Sequence, residues 1–147
     1  MRNHHYAVYK GMEIEADNDR YGNIFLATRD MVVAKIFNFK KEEDDDYYYK
    51  TVTPYEVTKY FERYFLAKYK GKKVAIMRVN GDEVDIQPDP EDITYNQLKR
   101  LGFKQVDKGV YEKTLPPSEL TDIHAEDDDG LESAKQEYDE SHKQQSW

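Results

Sequence analysis

An Asn80-Gly81 dipeptide stands between two runs, residues 72–79 and 82–86, that have the length and composition of strands. Such a dipeptide favours a type I′ hairpin, because both central residues of that turn need positive φ and few residues adopt it. The chain around it is thereby committed to antiparallel pairing. Other segments follow the same plan. Met12, Ile14 and Ala16 alternate with Glu13 and Glu15, the period of a half-buried strand. Residues 17–23 are rich in turn formers, and residues 24–27 return as an apolar strand. Residues 6–9, 31–39 and 47–52 have strand propensity, with Val33, Lys35, Phe37 and Phe39 suited to one side of the second of these. Residues 103–106 and 110–115 form a last hairpin around Asp107-Lys108-Gly109.

Two segments read as helices. Thr53-Pro54-Tyr55-Glu56 has the form of a capping box with proline at the first helical position. Val57, Tyr60, Phe61, Tyr64 and Phe65 then recur at helical spacing, and Gly71 follows as a terminator, so the pattern predicts a helix over 54–69. A shorter helix is expected over about 90–101, with Ile93, Leu98 and Leu101 on its inner face and Gly102 ending it. The expected class is α+β: an antiparallel sheet of hairpins packed against one main helix (54–69) and one short helix. Tyr9-Lys10-Gly11 and Tyr69-Lys70-Gly71 share three residues, too few to establish a repeat.

Charge separates the ends of the chain. Residues 121–147 hold nine acidic and two basic residues, a net charge of −7, whereas residues 1–120 hold 21 acidic and 20 basic, a net of −1. With no aliphatic periodicity, 121–147 reads as a disordered acidic tail behind a single domain at 1–120. No apolar run approaches the length of a membrane span, and residues 1–6 carry no secretory h-region, so a cytoplasmic protein is expected. There is no cysteine, which excludes disulfides and thiolate zinc sites.

Chemistry is constrained further. Between Tyr6 and Pro117 the chain has no histidine, serine or cysteine, the usual nucleophiles, neutral-pH bases and zinc ligands. A non-catalytic protein without cofactor is expected, and a carboxylate-based enzyme is the remaining catalytic alternative. Residues 17–24 imitate a calcium loop at positions one, three, six and eight but place Tyr21 at five and Thr28 at twelve, so a hairpin loop is the better reading. His4-His5 lacks a third imidazole nearby and reads as part of a frayed terminus.

Two surfaces remain. Asp44, Asp45 and Asp46 precede Tyr47, Tyr48 and Tyr49, an acidic loop running into an aromatic strand. Acids steer a basic partner and tyrosines anchor it, so these six residues form the candidate protein interface. The expected role is masking of a protein partner, as an inhibitor or immunity-type protein does to a toxin or nuclease. Pairing of an exposed 47–52 edge with a second copy is an alternative. A second patch, Lys59, Arg63, Lys70, Lys72, Lys73 and Arg78, has the basic and aromatic character of a nucleic-acid surface, without any recognisable motif. No membrane partner is expected.

Overall fold

The computed structural model describes residues 4–42 and 44–143; Glu43 of the acidic run and residues 144–147 of the tail lie outside them. The described residues form eleven strands: β1 (His5–Tyr9), β2 (Met12–Asn18), β3 (Ile24–Thr28), β4 (Lys40–Lys41), β5 (Tyr48–Val52), β6 (Val57–Tyr69), β7 (Lys72–Asn80), β8 (Glu83–Pro88), β9 (Lys104–Asp107), β10 (Val110–Leu115) and β11 (Leu120–Asp129). The helices are α1 (Met31–Ile36), α2 (Tyr95–Arg100) and α3 (Leu131–Lys143). The strands are hydrogen-bonded in the order β4-β5-β3-β2-β1-β6-β7-β8-β10-β9, and β11 pairs with β6.

This overturns the expected class. Strand residues reach 52% against 20% helix, and an eleven-stranded antiparallel sheet replaces hairpins packed on a main helix. The expected helix 54–69 is strand β6. Only half of the capping box forms: the Thr53 N–H donates to Glu56 Oε2 at 2.7 Å, but the Glu56 N–H donates to the Thr53 backbone C=O at 3.1 Å and closes a turn. The helical spacing beyond it has another cause. Tyr9 pairs with Val57 and Val8 with Lys59, so Thr58 is an extra residue, a bulge. The bulge changes the parity of the strand and puts Val57 and Tyr60, three apart, on the core side. Phe61 is buried on the opposite face, across from Tyr6. Aromatics on two faces plus one bulge reproduce an i, i+3, i+4 pattern.

Residues 31–36 err in the other direction, forming helix instead of strand. Asp30 Oδ1 accepts the N–H of Val32 and Val33, and the helix ends at left-handed Asn38 with the Phe39 N–H donated back to Ala34 C=O. The tail is also ordered through Lys143: β11 and α3 occupy it, and Ala134 is buried. The Asn80-Gly81 hairpin forms with shifted register. Asn80 pairs with Glu83, so Gly81 and Asp82 are central and only Gly81 has positive φ, the II′ pattern.

The chain divides into two compact units, Met1–Arg63 with Asp127–Trp147, and Tyr64–Glu126. Each has its own core, one around Ala7, Tyr9, Ile14, Leu26 and Val52, the other around Ala67, Tyr69, Val74, Ile86 and Leu115. The units are repeats of one topology. In the first the strand order is β4-β5-β3-β2-β1-β6, and in the second β9-β10-β8-β7-β6-β11, with α1 or α2 inserted at the same place. β6 closes the first repeat with residues 57–62 and opens the second with residues 65–69.

Register aligns the residues. Ala7-x-Tyr9-Lys10-Gly11 matches Ala67-x-Tyr69-Lys70-Gly71, and in both turns lysine and glycine have positive φ. Type I′ geometry is thus supplied twice by Lys-Gly. Phe39-Lys40 matches Phe103-Lys104. The Phe39 N–H donates to Ala34 C=O at 2.8 Å, and the Phe103 N–H donates to Leu98 C=O at 2.9 Å; Asn38 and Gly102 take the left-handed position before them. Residues 48–58 match 111–121, sharing Tyr48/Tyr111, Lys50/Lys113, Thr51/Thr114, Pro54/Pro117, Glu56/Glu119 and Thr58/Thr121. Lys50 Nζ lies 5.7 Å from the Tyr9 ring and Lys113 Nζ 5.6 Å from the Tyr69 ring. Repeated residues therefore hold turns, helix ends and core, and unrepeated ones are where a special role must be sought.

Candidate protein-binding surface

The acidic-aromatic segment is only partly an exposed surface. Asp44 and Asp46 are exposed, with Asp44 in the left-handed region at φ +66°. Asp45 folds inward: Oδ2 accepts the Tyr49 hydroxyl at 2.5 Å and Oδ1 accepts the Tyr47 N–H at 3.1 Å. The Tyr49 hydroxyl bond holds the Asp45 carboxyl below its ordinary range, and the same bond pushes Tyr49 up to about 12. Tyr48 packs against the first core, as its repeat partner Tyr111 does against the second. Tyr47 carries the Arg29 guanidinium 4.6 Å from its ring, which ties this loop to the start of α1. β5 is paired with β3 along Tyr48–Val52, and its other edge is paired with β4 at Tyr48 and Tyr49.

The basic patch is distributed over both units. Arg63 donates to Glu13 and Asp127 at 2.9 Å each, and its guanidinium lies over Tyr6 and Phe61. Arg78 donates to Asp85 at 2.8 Å and to Glu112 at 2.7 Å. These hydrogen bonds raise both guanidinium pKa values, Arg63 chiefly through Asp127 and Arg78 chiefly through Glu112. Two of the six cations are thus committed to carboxylates. Lys70 lies over Tyr69 in the Lys-Gly turn, and the Lys73 N–H donates to Asp92. Lys59 and Lys72 are on β6 and β7.

The other motifs resolve structurally. Asp19 accepts the N–H of Tyr21 and Asn23 and organises the β2–β3 loop. Among the described residues no group of three His, Cys, Asp or Glu side chains is placed to hold a metal ion. His5 is not frayed: it lies in β1, stacks on Tyr60 and has Nε2 3.3 Å from Glu62.

Sequence reasoning missed the outward face of α1. Met31, Val32 and Ile36 are 69%, 69% and 60% exposed, three large apolar side chains on a six-residue helix. With Lys35 they line a shallow apolar surface. A strand over the same residues would hide half of them in the sheet, so the sequence pattern gives no hint of an exposed patch. The second repeat shows that the fold does not require them. Its helix α2 buries Leu98 where α1 buries Ala34, yet places Tyr95, Asn96 and Arg100 where α1 has Met31, Val32 and Ile36. The signal available in the sequence was Asp30 as a cap, followed by apolar residues all round a short segment and Asn38 beyond it.

The geometry can be set beside other proteins. A family model described as “Uncharacterised conserved protein UCP033725” matches residues 1–129. The chain belongs to that family. The match covers both repeats and stops at the last residue of β11, leaving α3 beyond it. No curated protein and no solved structure matches the chain. Among the described residues no helix is long and apolar enough to cross a membrane.

Proposed function

We propose that the protein is a non-catalytic module that binds and masks a protein partner, docking it on the outward face of α1 and the adjoining loop from Asp44 to Tyr47. The observation that carries this reading is the exposure of Met31, Val32 and Ile36 at positions where the second repeat uses tyrosine, asparagine and arginine. An apolar centre with a polar rim is the usual anatomy of a protein interface. The loop tied to the start of α1 through Arg29 and Tyr47 supplies Asp44 and Asp46, which favours a basic partner and accelerates its encounter. An inhibitor or immunity-type protein that covers the basic active site of a nuclease or toxin fits these terms.

The test transplants the α2 face onto α1. The triple variant Met31→Tyr, Val32→Asn, Ile36→Arg is compared with the parent for Tm, for capture from lysate of the source organism, and for affinity toward the captured protein once purified. The expected result is an unchanged Tm, a basic protein held stoichiometrically by the parent, and affinity at least tenfold weaker in the variant. Nuclease-sensitive recovery of nucleic-acid-bound proteins, equal for both baits, would sink the reading in favour of the basic patch. Equal affinity of parent and variant for the purified partner would also exclude the α1 face.

A further inference from the structure

The side of the first repeat's sheet opposite its core carries a row of neighbours across five strands. Phe61 pairs with Tyr6, Tyr6 with Glu15, Glu15 with Ala27, and Ala27 with Tyr49. A cavity of about 420 Å³ opens over this row, lined by Tyr6, Glu15, Ala27, Arg29, Asp30 and Tyr47 among others. Glu15 is half-buried in it, and its Oε2 atom is buried with no hydrogen-bond partner among the described residues. A carboxylate oxygen removed from water and given no donor is costly, so such an atom calls for an explanation.

The second repeat makes the explanation specific. Its row runs Leu66, Ala75, Gln87, Glu112, with Ala75 in the place of Glu15. The sheet therefore needs no carboxylate at that position. Where the second repeat does carry one, Glu112, donors are supplied: Arg78 gives it two hydrogen bonds and Gln87 one. Glu15 Oε2 has no such provision. The other charges facing the cavity are occupied. Glu13 receives Arg63, and Asp30 Oδ1 accepts the first N–H groups of α1. The walls, in contrast, already favour flat cations, because Tyr6 carries the guanidinium of Arg63 at 5.0 Å and Tyr47 that of Arg29 at 4.6 Å.

We infer that this cavity is a subsite for a guanidinium group, supplied by an arginine side chain of the protein partner and received by Glu15. The inference rests on the binding function proposed above and names the chemistry the partner must present. A guanidinium offers N–H donors in a plane, matches a carboxylate in that plane and stacks on tyrosine faces. The cavity adjoins Arg29 and Asp30 at the start of α1, so one partner can bury apolar side chains on the helix while a neighbouring arginine enters.

The experiment titrates isotope-labelled full-length protein with N-acetyl-arginine methylamide and its neutral citrulline counterpart, following backbone amide shifts. Saturable shifts at Glu15, Ala27 and Thr28 are expected for arginine, with at least tenfold weaker binding for citrulline. Glu15→Ala, which installs the residue of the second repeat, should keep the Tm and remove saturation. Equal binding of the two probes, or of arginine to parent and Glu15→Ala, would overturn the subsite. The Met31→Tyr, Val32→Asn, Ile36→Arg variant should bind the arginine probe as the parent does, so loss of partner capture there tests the α1 face separately. If methylguanidine binds more tightly than the capped arginine, or Glu15→Ala leaves affinity for the purified partner unchanged, the guanidinium does not come from a partner side chain and the inference fails.

Discussion

The two repeats share their fixings and differ in what they expose. Both open on Ala-x-Tyr-Lys-Gly, both end their short helix with a phenylalanine N–H donated back into it, and both close with a Pro-x-Glu turn. Away from these fixings they diverge. The first repeat has an apolar helix face and a half-buried Glu15 with an unsatisfied oxygen, whereas the second has a polar helix face and a fully partnered Asp85. A duplicated fold serves as its own control, because a feature present in one copy and absent from the other is not demanded by the fold.

The comparison is broken most severely in the cores. Leu26 and Ile86 hold equivalent, fully buried positions, so Leu26→Ala and Ile86→Ala should each cost about 2–5 kcal/mol. Denaturant unfolding with tryptophan-independent probes in each repeat will show whether each loss stays within its own unit. Next come the hairpin glycines. Gly22 has φ +81°, and a Cβ there would strike Ala134 and Tyr138 of α3, whereas a Cβ on Gly81 meets open space. Gly22→Ala should cost about 2–4 kcal/mol, and Gly81→Ala about 1 kcal/mol from backbone strain alone. Equal Tm losses would mean that α3 does not pack on Gly22.

Asp85 sharpens the contrast electrostatically. Hydrogen bonds from Thr114, Arg78 and Asn80 lower its pKa to about 2. A depressed folded-state pKa stabilises the protein above the unfolded value, near 4, and that stability is lost as pH falls toward 2. The contribution is on the order of 2 kcal/mol, since lowering a pKa by one is worth about 1.4 kcal/mol. Acid titration of stability should therefore show a component between pH 4 and 2 that Asp85→Asn removes. The smallest effect expected is at the helix ends. Asn38→Gly places glycine at a left-handed position, as in the second repeat, and should stabilise by less than about 1 kcal/mol. Gly102→Asn should destabilise by a similarly small amount, through a side chain held at φ +87°, because the Lys113 Nζ that a Cβ meets is the end of a flexible chain and moves aside.

The hairpins are legible in the sequence because their signals are local: alternation in Met12–Asn18, glycine at 11, 71, 81 and 109, and proline after the closing strands. The helix expected over 54–69 fails because a bulge at Thr58 is invisible without the strand opposite it. The strand expected over 31–39 fails because Val and Ile have strand propensity, while the decisive facts, the Asp30 cap and the buried Phe39, depend on three-dimensional neighbours. The repeat is hidden because its spacing is not constant. Tyr9 and Tyr69 are 60 residues apart, Phe39 and Phe103 64, Lys50 and Lys113 63. Comparison of residues 48–58 with 111–121 would expose it. Within the candidate interface, half-buried Tyr48 packs against the first core and Asp45 fixes its loop, neither of which is legible, because one strand of sequence does not reveal which face its partners cover.

β6 completes one repeat with residues 57–62 and begins another with residues 65–69 of the same strand. Growth of such a chain needs no linker, only a closing strand long enough to be reused. β11 is that strand in the second repeat, ten residues long, and it runs on past Leu120 as β6 runs on past Val57. Beyond it the chain turns at Gly130 into α3 instead of another hairpin. The number of copies in this architecture is decided after the sheet is finished, by whether the last strand is handed to a new repeat or terminated.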